Sequence, residues 1–461
     1  MFLRFLGSAQ EVGRSCIELR QGNKTLLLDC GINLGGKTPL ERYPLLEEND
    51  IKRIDAVIIC HSHLDHSGYL PFLVKKGFRG KVFITKPSRD IMHLLLSDSA
   101  KLMKLKKEPL FNEEDVKQTL KLVECLEFNE EKEILKGVKI TFFPSGHILG
   151  SAMVLVKMDN SKLLYTSDLN LKESRVLNAA KAPEESIPLL IIESTYAGKN
   201  DVIPNLKTSS KLLADEIKEA IQKDAKVLIP VFAVGRGQDI MLSLENYIRS
   251  GYLPKLTVFV DGMLARANKI YRHNVSYMRE EITKRILLAD DDPFKSPFIQ
   301  QPKTKSRIDV LKARNAIILS TSGMLTGGPV LTYLKEIAKN KENKLIFVGY
   351  QAEGTLGRQI LEGAKEIEFT GREGKKEKLS LKCQVKKLPF SGHADFNDLI
   401  SFIRKLNKVK HVYIVHGEKA KSIEFKKELE QKFKGIEITL PELKKVYAVK
   451  EFDERKRTAR H

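Results

Sequence analysis

The sequence holds no apolar run approaching the ~20 residues that a membrane span requires. Its apolar start, Met1-Phe2-Leu3-Arg4-Phe5-Leu6, is broken by Gly7-Ser8-Ala9-Gln10-Glu11 too early for a secretory h-region, so a first strand is expected there instead. The five cysteines, Cys16, Cys30, Cys60, Cys125 and Cys383, are odd in number, scattered and without any CxxC. That pattern argues against a disulfide framework and a structural zinc knuckle, and it suits a reducing cytoplasm. No glycine-rich stretch matches a Walker or dinucleotide fingerprint, which excludes a nucleotide-cofactor domain. Internal repeats and low-complexity tracts are missing too. Histidine is scarce, with ten in 461 residues, and three of the ten fall within six positions.

Those three lie in His61-Ser62-His63-Leu64-Asp65-His66, directly after the apolar run Ala56-Val57-Ile58-Ile59-Cys60. The run reads as a strand buried on both faces, and open α/β sheets place their sites at strand carboxyl ends. On an extended segment His61 and His63 point to the same side, because side chains alternate with period two. Two imidazoles and a carboxylate suit a borderline cation such as zinc, and a third imidazole leaves ligands for a second ion. Two further candidates sit at later strand ends: His147 in Pro144-Ser145-Gly146-His147-Ile148-Leu149-Gly150, and Asp168 in Tyr165-Thr166-Ser167-Asp168. Asp29, in Asp29-Cys30-Gly31, puts a carboxylate at another.

At 461 residues the chain has room for two or three cores. The first ~195 residues alternate strands and helices, with a long helix expected over Ser88 to Lys107. From about Asn200 to Ser380 the alternation restarts and reads as a second α/β unit with a largely parallel sheet. Its glycines gather in Val234-Gly235-Arg236-Gly237, Ser322-Gly323-Met324-Leu325-Thr326-Gly327-Gly328 and Gly349-Tyr350-Gln351-Ala352-Glu353-Gly354. Loops of this kind between a strand and a helix can turn N–H groups towards a phosphate. Ordinary tight turns are an equal reading of any one of them. Two more histidines close the set: His393 in Phe390-Ser391-Gly392-His393-Ala394-Asp395, and His416 ending the strand His411-Val412-Tyr413-Ile414-Val415-His416. The net charge of +20 favours polyanionic partners, with a surface rich in Lys and Glu as the bland alternative.

Taken together, HSHLDH with Asp29 before it and His147, Asp168 and His416 after it resembles the metallo-β-lactamase superfamily pattern. Glu193 in Ile192-Glu193-Ser194-Thr195-Tyr196, His393 and His416 resemble the three further motifs of the β-CASP nucleases. The resemblance spans essentially the whole chain, and the long stretch between Asp168 and His416 leaves room for an inserted domain. His63-Leu64-Asp65-His66-Ser67-Gly68-Tyr69-Leu70-Pro71 and Ser391-Gly392-His393-Ala394-Asp395 look closer to the 73 kDa nuclease subunit of the cleavage and polyadenylation specificity factor than to RNase J. The chain starts at the first strand, so the KH domains of some archaeal relatives are expected to be absent. The implied fold class is α/β, a metallo-β-lactamase αββα sandwich formed by residues 1–197 and 390–461, with an inserted α/β β-CASP domain over 198–389.

The resemblance also implies roles. His61, His63 and His147 would hold one Zn2+, Asp65, His66 and His416 a second, and Asp168 would bridge them. Asp29 would orient ligands without binding metal. His393, oriented by Glu193, would face the scissile phosphate and protonate the departing oxygen, and Asp65 would orient the attacking one. Arg236, Ser322 and Gly323 are the candidates for RNA phosphate contacts, and Arg372, Lys375 and Lys376 further basic ones. The implied activity is zinc-dependent hydrolysis of single-stranded RNA in RNA processing or 3′-end formation, endonucleolytic in the first place, with 5′→3′ exonucleolytic action sharing the same site. Two readings compete with it: an RNA-binding scaffold without catalysis, and a small-molecule metallohydrolase of the same fold. A thioesterase or lactonase would lack the long insertion and the Glu193 and His393 motifs. Self-association into a homodimer, with the basic tail Arg455 to Arg460 taking part, is left open. No membrane partner is expected.

Overall fold

The computed structural model describes residues 1–105, 109–370 and 376–449. Arg372, Lys375, the lysines at 106 and 107, and the basic tail lie outside the described residues. No described helix is long and apolar enough to cross a membrane. The chain forms two compact units. The first comprises Met1–Leu171, Ala179–Val202 and the chain from His393 on, and the second Lys172–Asn178 and Ile203–Gly392.

Two seven-stranded sheets make up the centre of the first unit. One runs in the order Val446–Ala448, Phe2–Phe5, Ile17–Gln21, Lys24–Leu28, Ala56–Ile58, Lys81–Ile84, Val123–Cys125. The other runs Glu437–Thr439, His411–Val415, Leu189–Glu193, Ser161–Tyr165, Ala152–Met158, Val138–Pro144, Glu131–Leu135. Each sheet is parallel along one half and antiparallel along the other.

Strict alternation along the strands builds the layers. Leu26, Leu28, Ala56 and Ile58 face Leu163, Tyr165, Leu189, Ile191, Tyr413 and Val415 in a core between the sheets. Their neighbours Leu27 and Val57 turn the other way, onto the helices Leu70–Lys75, Lys86–Leu105 and Glu113–Lys121. On the far side, Leu164, Leu190, Ile192, Val412 and Ile414 pack against Phe396–Lys405 and Lys419–Lys432. Period-two burial on both faces is why these strands read as continuous apolar runs. The result is a helix–sheet–sheet–helix sandwich.

The second unit carries a six-stranded sheet, Ile299–Gln300, Val258–Asp261, Ile317–Ser320, Val227–Pro230, Lys344–Phe347, Gln384–Lys387, parallel throughout. Leu228, Ile318, Leu345 and Phe347 pack on the helix Pro329–Ile337. From the opposite face fully buried Lys344 reaches the helix Leu206–Gln222, where its Nζ meets Glu216 Oε2 at 2.5 Å and Glu219 Oε2 at 2.7 Å. Helices thus cover both faces, as parallel sheets require.

Local boundaries differ from the sequence reading in one place that matters for the site. The strand before the histidine cluster ends at Ile58, and His63 caps the helical turn Leu64–Ser67. The cluster therefore bends from loop into helix instead of running extended. Ile59 and Cys60 stay fully buried, which is what made them look like strand.

Candidate metal centre

Carboxyl ends of strands in the first unit supply nearly all the polar residues of interest. His61 follows Ala56–Ile58, His147 follows Val138–Pro144, and Asp168 follows Ser161–Tyr165. Glu193 is the last residue of its strand, and Asp29 and His416 come directly after theirs. Asp29, Ser167 and His416 adopt left-handed backbone, with φ of 58°, 47° and 52°. Non-glycine residues seldom sit there, and such strain gathers where the surrounding structure holds a functional side chain in place. The turn Leu64–Ser67 is tied down by Ser15 N to Asp65 O at 2.7 Å, Cys30 N to His66 O at 2.7 Å and Ile32 N to Leu64 O at 2.9 Å. Gly31 is required for this approach, because a Cβ there would lie 1.8 Å from the Asp65 carbonyl oxygen. Gly150, at φ +80°, likewise lets the His147 loop close onto Ser88 and Thr85.

The side chains converge. His61, His63, His147 and Asp168 bring one donor atom each within 4.8 Å of one another, as do His61, Asp65 and His66, and His66, Asp168 and His416. Asp168 stands between two of these sets: its Oδ2 lies 3.3 Å from His61 Nε2 and 3.4 Å from His147 Nε2, its Oδ1 3.3 Å from His66 Nε2 and His416 Nδ1. Asp65 Oδ2 is 3.4 Å from His416 Nε2. All seven residues singled out as metal ligands are in this cluster.

The donor set fits divalent cations. His61 Nε2, His63 Nε2, His416 Nε2 and Asp168 Oδ1 are buried with no hydrogen-bond partner among the described residues, an arrangement that buried polar atoms avoid unless something else satisfies them. Burial and then the His66 charge lower the His61 pKa; burial and then His61 hold His63 down at about 4; burial and then His393 press His147 well below the ordinary imidazole value. Neutral imidazoles keep a lone pair for a metal. Burial would raise the Asp65 and Asp168 carboxyls, but the His66 and His416 charges outweigh it and keep both well below the usual range.

Around this set is a hydrogen-bonded shell. Asp29 accepts Cys60 N–H on Oδ1 at 2.8 Å; its Oδ2 takes His66 Nδ1 at 2.8 Å, the Tyr165 hydroxyl at 2.9 Å and the Ser167 hydroxyl at 3.2 Å. Thr195 Oγ1 lies 3.2 Å from His416 Nδ1. Beside the cluster, Glu193 is almost fully buried and its two oxygens sit 3.1 and 2.9 Å from His393 Nδ1. Burial alone would lower the His393 pKa; the charges of Glu193 and then Asp168 outweigh it and hold it raised at about 9. Tyr165, Ser167 and Thr195 were not anticipated. The first two precede Asp168 and alternate with each other, and Thr195 is two beyond Glu193, so period-two alternation was the available signal.

Arg236, Ser322 and Gly323 belong to the second unit. Arg236 is pinned by Asp239 at 3.0 Å, Ser322 Oγ accepts Thr326 N–H at 2.8 Å, and the Gly323 carbonyl accepts Gln351 Nε2 at 3.0 Å. Lys376 pairs with Glu368 at 3.0 Å.

A four-layer sandwich with a His/Asp cluster at its strand ends defines a metallohydrolase of the metallo-β-lactamase type. Residues 18–191 match the metallo-β-lactamase superfamily domain, 237–360 the Beta-Casp domain and 378–441 the Zn-dependent metallo-hydrolase RNA specificity domain. The chain is 39% identical over 426 residues to an RNase J-like protein of Methanocaldococcus jannaschii, covering 92% of this chain and 94% of that one. It is 38% identical over 430 residues to the transcription termination factor FttA of Methanothermobacter thermautotrophicus, covering 92% of this chain and 68% of that protein. FttA of Thermococcus kodakarensis is 35% identical over 451 residues, at 95% and 69% coverage. A crystal structure of a protein of unknown function from Enterococcus faecalis V583 shares the fold, with a TM-score of 0.58, 14% identity and coverage of 97% and 99%. The chain belongs to the β-CASP family of metallo-hydrolases.

Proposed function

We propose that this protein is a ribonuclease that uses two Zn2+ ions to hydrolyse internal phosphodiesters of single-stranded RNA. The observation that carries the reading is the pairing, in one cluster, of orphaned ligand atoms around Asp168 with the Glu193–His393 dyad beside them. His61, His63 and His147 would hold one ion, Asp65, His66 and His416 the other, and Asp168 both. Ions bound there supply Lewis acidity, lowering the pKa of water and relieving charge on the phosphate. Asp65, at the cluster's more open side with 29% of its side chain exposed, would orient the attacking oxygen. Glu193 keeps the His393 Nδ1–H oriented, leaving Nε2–H to protonate the leaving 3′-oxygen. A 5′-phosphate remains on the downstream fragment.

Relatives titled transcription termination factors support 3′-end formation as the setting. The test is a product map on labelled RNA carrying either a 5′-phosphate or a 5′-hydroxyl, with and without chelator. Internal cuts that ignore the 5′ end and vanish on chelation are expected. A ladder that starts at the 5′ end and needs the phosphate would replace the endonuclease reading with the exonuclease one. Zinc-loaded protein that binds RNA and leaves it intact would overturn both.

A further inference from the structure

Ser167 occupies a position that backbone energetics would give to glycine. Its φ of 47° is left-handed, where a Cβ is unfavourable, and it sits between Thr166 and Asp168, fully inside the protein. What the side chain adds is one hydroxyl with three polar neighbours. Ser167 Oγ is 3.2 Å from His61 Nδ1, 3.2 Å from Asp29 Oδ2 and 3.3 Å from His66 Nδ1.

The direction of these bonds follows from the other side of the rings. His61 Nε2 points at Asp168 Oδ2, 3.3 Å away, on the side where the other ligand atoms gather; with that nitrogen as the ligand atom, His61 carries its proton on Nδ1. That N–H donates to Ser167 Oγ. The hydroxyl in turn donates to Asp29 Oδ2, which also receives the Nδ1–H of His66 at 2.8 Å. In the two-metal reading His61 shares the position of His63 and His147, and His66 that of Asp65 and His416, while His61, Asp65 and His66 also lie within reach of one another. Asp29 reaches the second ring directly and the first only through the serine.

We infer that Ser167 is a positioning residue, a hydroxyl relay through which the single buried carboxylate of Asp29 fixes the ligand tautomer at both metal positions. The inference rests on the two-metal reading above. Without the hydroxyl His61 keeps its place, because it is walled in on all sides, but its Nδ1–H loses its acceptor and the tautomer with a free Nε2 loses its advantage. The His66 position keeps its direct bond to Asp29.

The experiment uses the full chain, stripped with chelator, and measures stepwise zinc affinity by competition with a chromophoric chelator in wild type, Ser167→Gly and Ser167→Ala. Each variant should weaken one of the two steps by roughly 10- to 100-fold, the range for removing an outer hydrogen-bond partner of a metal-bound histidine, and leave the other within about threefold. Ser167→Gly relieves the backbone, so its metal-free melting temperature should equal or exceed that of wild type, while that of Ser167→Ala should not. In a His147→Ala background Ser167→Gly should have no further effect on zinc affinity, and in a His416→Ala background its full effect. Imidazole nitrogen shifts of the metal-free protein should show His61 passing from one tautomer to a mixture. Unchanged zinc affinity in both variants, or weakening of the His416-dependent step instead, overturns the relay. Failure of the wild-type chain to bind zinc overturns the two-metal reading itself, a result distinct from either.

Discussion

Replacing Glu193 by glutamine isolates the electrostatic part of the dyad in the metal-free protein. The amide keeps one oxygen for Leu169 N–H, which Glu193 Oε1 now accepts at 2.6 Å. That choice turns the NH2 group towards His393 Nδ1, where it opposes an N–H and favours the neutral ring. His393 should therefore fall from about 9 towards the ordinary imidazole value, since burial then acts against a smaller opposing charge. At ~1.4 kcal/mol per pH unit, holding an imidazole at about 9 instead of 6.5 is worth roughly 3 kcal/mol of folding stability. Asp168 and Asp65 supply part of that, which leaves about 2 kcal/mol for Glu193. The sign follows from the raised folded-state value: the contribution is complete below pH 6.5 and is lost as the pH climbs through 9. Urea unfolding in chelator at pH 6 and pH 9.5 should thus show the variant less stable by about 2 kcal/mol more at the lower pH than at the higher. His66, also raised, is present in both proteins and cancels in the difference. Parallel stability curves across that range would mean that Glu193 does not hold the His393 proton, and the assignment of the dyad would fall with it.

His393→Ala should keep both zinc ions by elemental analysis and lose cleavage by about 10²- to 10⁴-fold, the usual contribution of a positioned acid; loss of zinc would make His393 a ligand. Asp168→Ala should empty both positions, because the carboxylate lies within 3.4 Å of ligand atoms from each set, and normal stoichiometry would remove it from the bridging role. Binding of single-stranded RNA should weaken steeply between 50 and 200 mM salt, with a log–log slope of about −0.7 per phosphate neutralised; a flat plot would deny the net charge of +20 a part in recognition. In the second unit, Glu216→Gln with Glu219→Gln leaves the buried Lys344 ammonium with neutral acceptors only and should lower stability in urea unfolding by more than Lys344→Met, which should cost less than about 1.5 kcal/mol.

How far the sequence reached depends on which residues carried a periodic signal. The strands 24–28, 56–58, 161–165 and 411–415 are buried on both faces, so their apolar runs stood out, and the site residues follow them because the chain must turn there. Helix 86–105 was visible from its spacing. By contrast, the helices 329–337 and 419–432 went unread. The first starts at a Pro after two glycines, where turn chemistry dominates, and the second is charged on nearly every face and buries only Ser422, Phe425 and Leu429. The edge strands 131–135 and 446–448 are largely exposed and carry no alternation to read. Nothing in Lys172–Asn178 distinguishes it by composition, yet it joins the second unit, where Arg175 N–H bonds Asp239 at 2.9 Å. A long-range backbone contact of that kind leaves no local mark.

The same reasoning explains why the ligands themselves were easier to find than the residues that hold them. A ligand is a histidine or carboxylate whose type is dictated by the ion, and scarce residue types betray themselves by clustering. The residues behind them need only a hydroxyl or a backbone N–H at the right place, and Ser167, Tyr165, Thr195 and Cys60 are unremarkable in composition. Their service depends on geometry set by the turn after each strand. Asp29, Ser167 and His416 each reach their partners from a left-handed residue, and a right-handed turn would carry the next side chain away from the cluster. The strain and the bonds arise together: Asp29 accepts four donors and the Ser167 hydroxyl meets three polar neighbours, at positions where such backbone costs roughly 1–3 kcal/mol each. Substituting glycine at any one of them relaxes the backbone and removes the very group for which the conformation is kept.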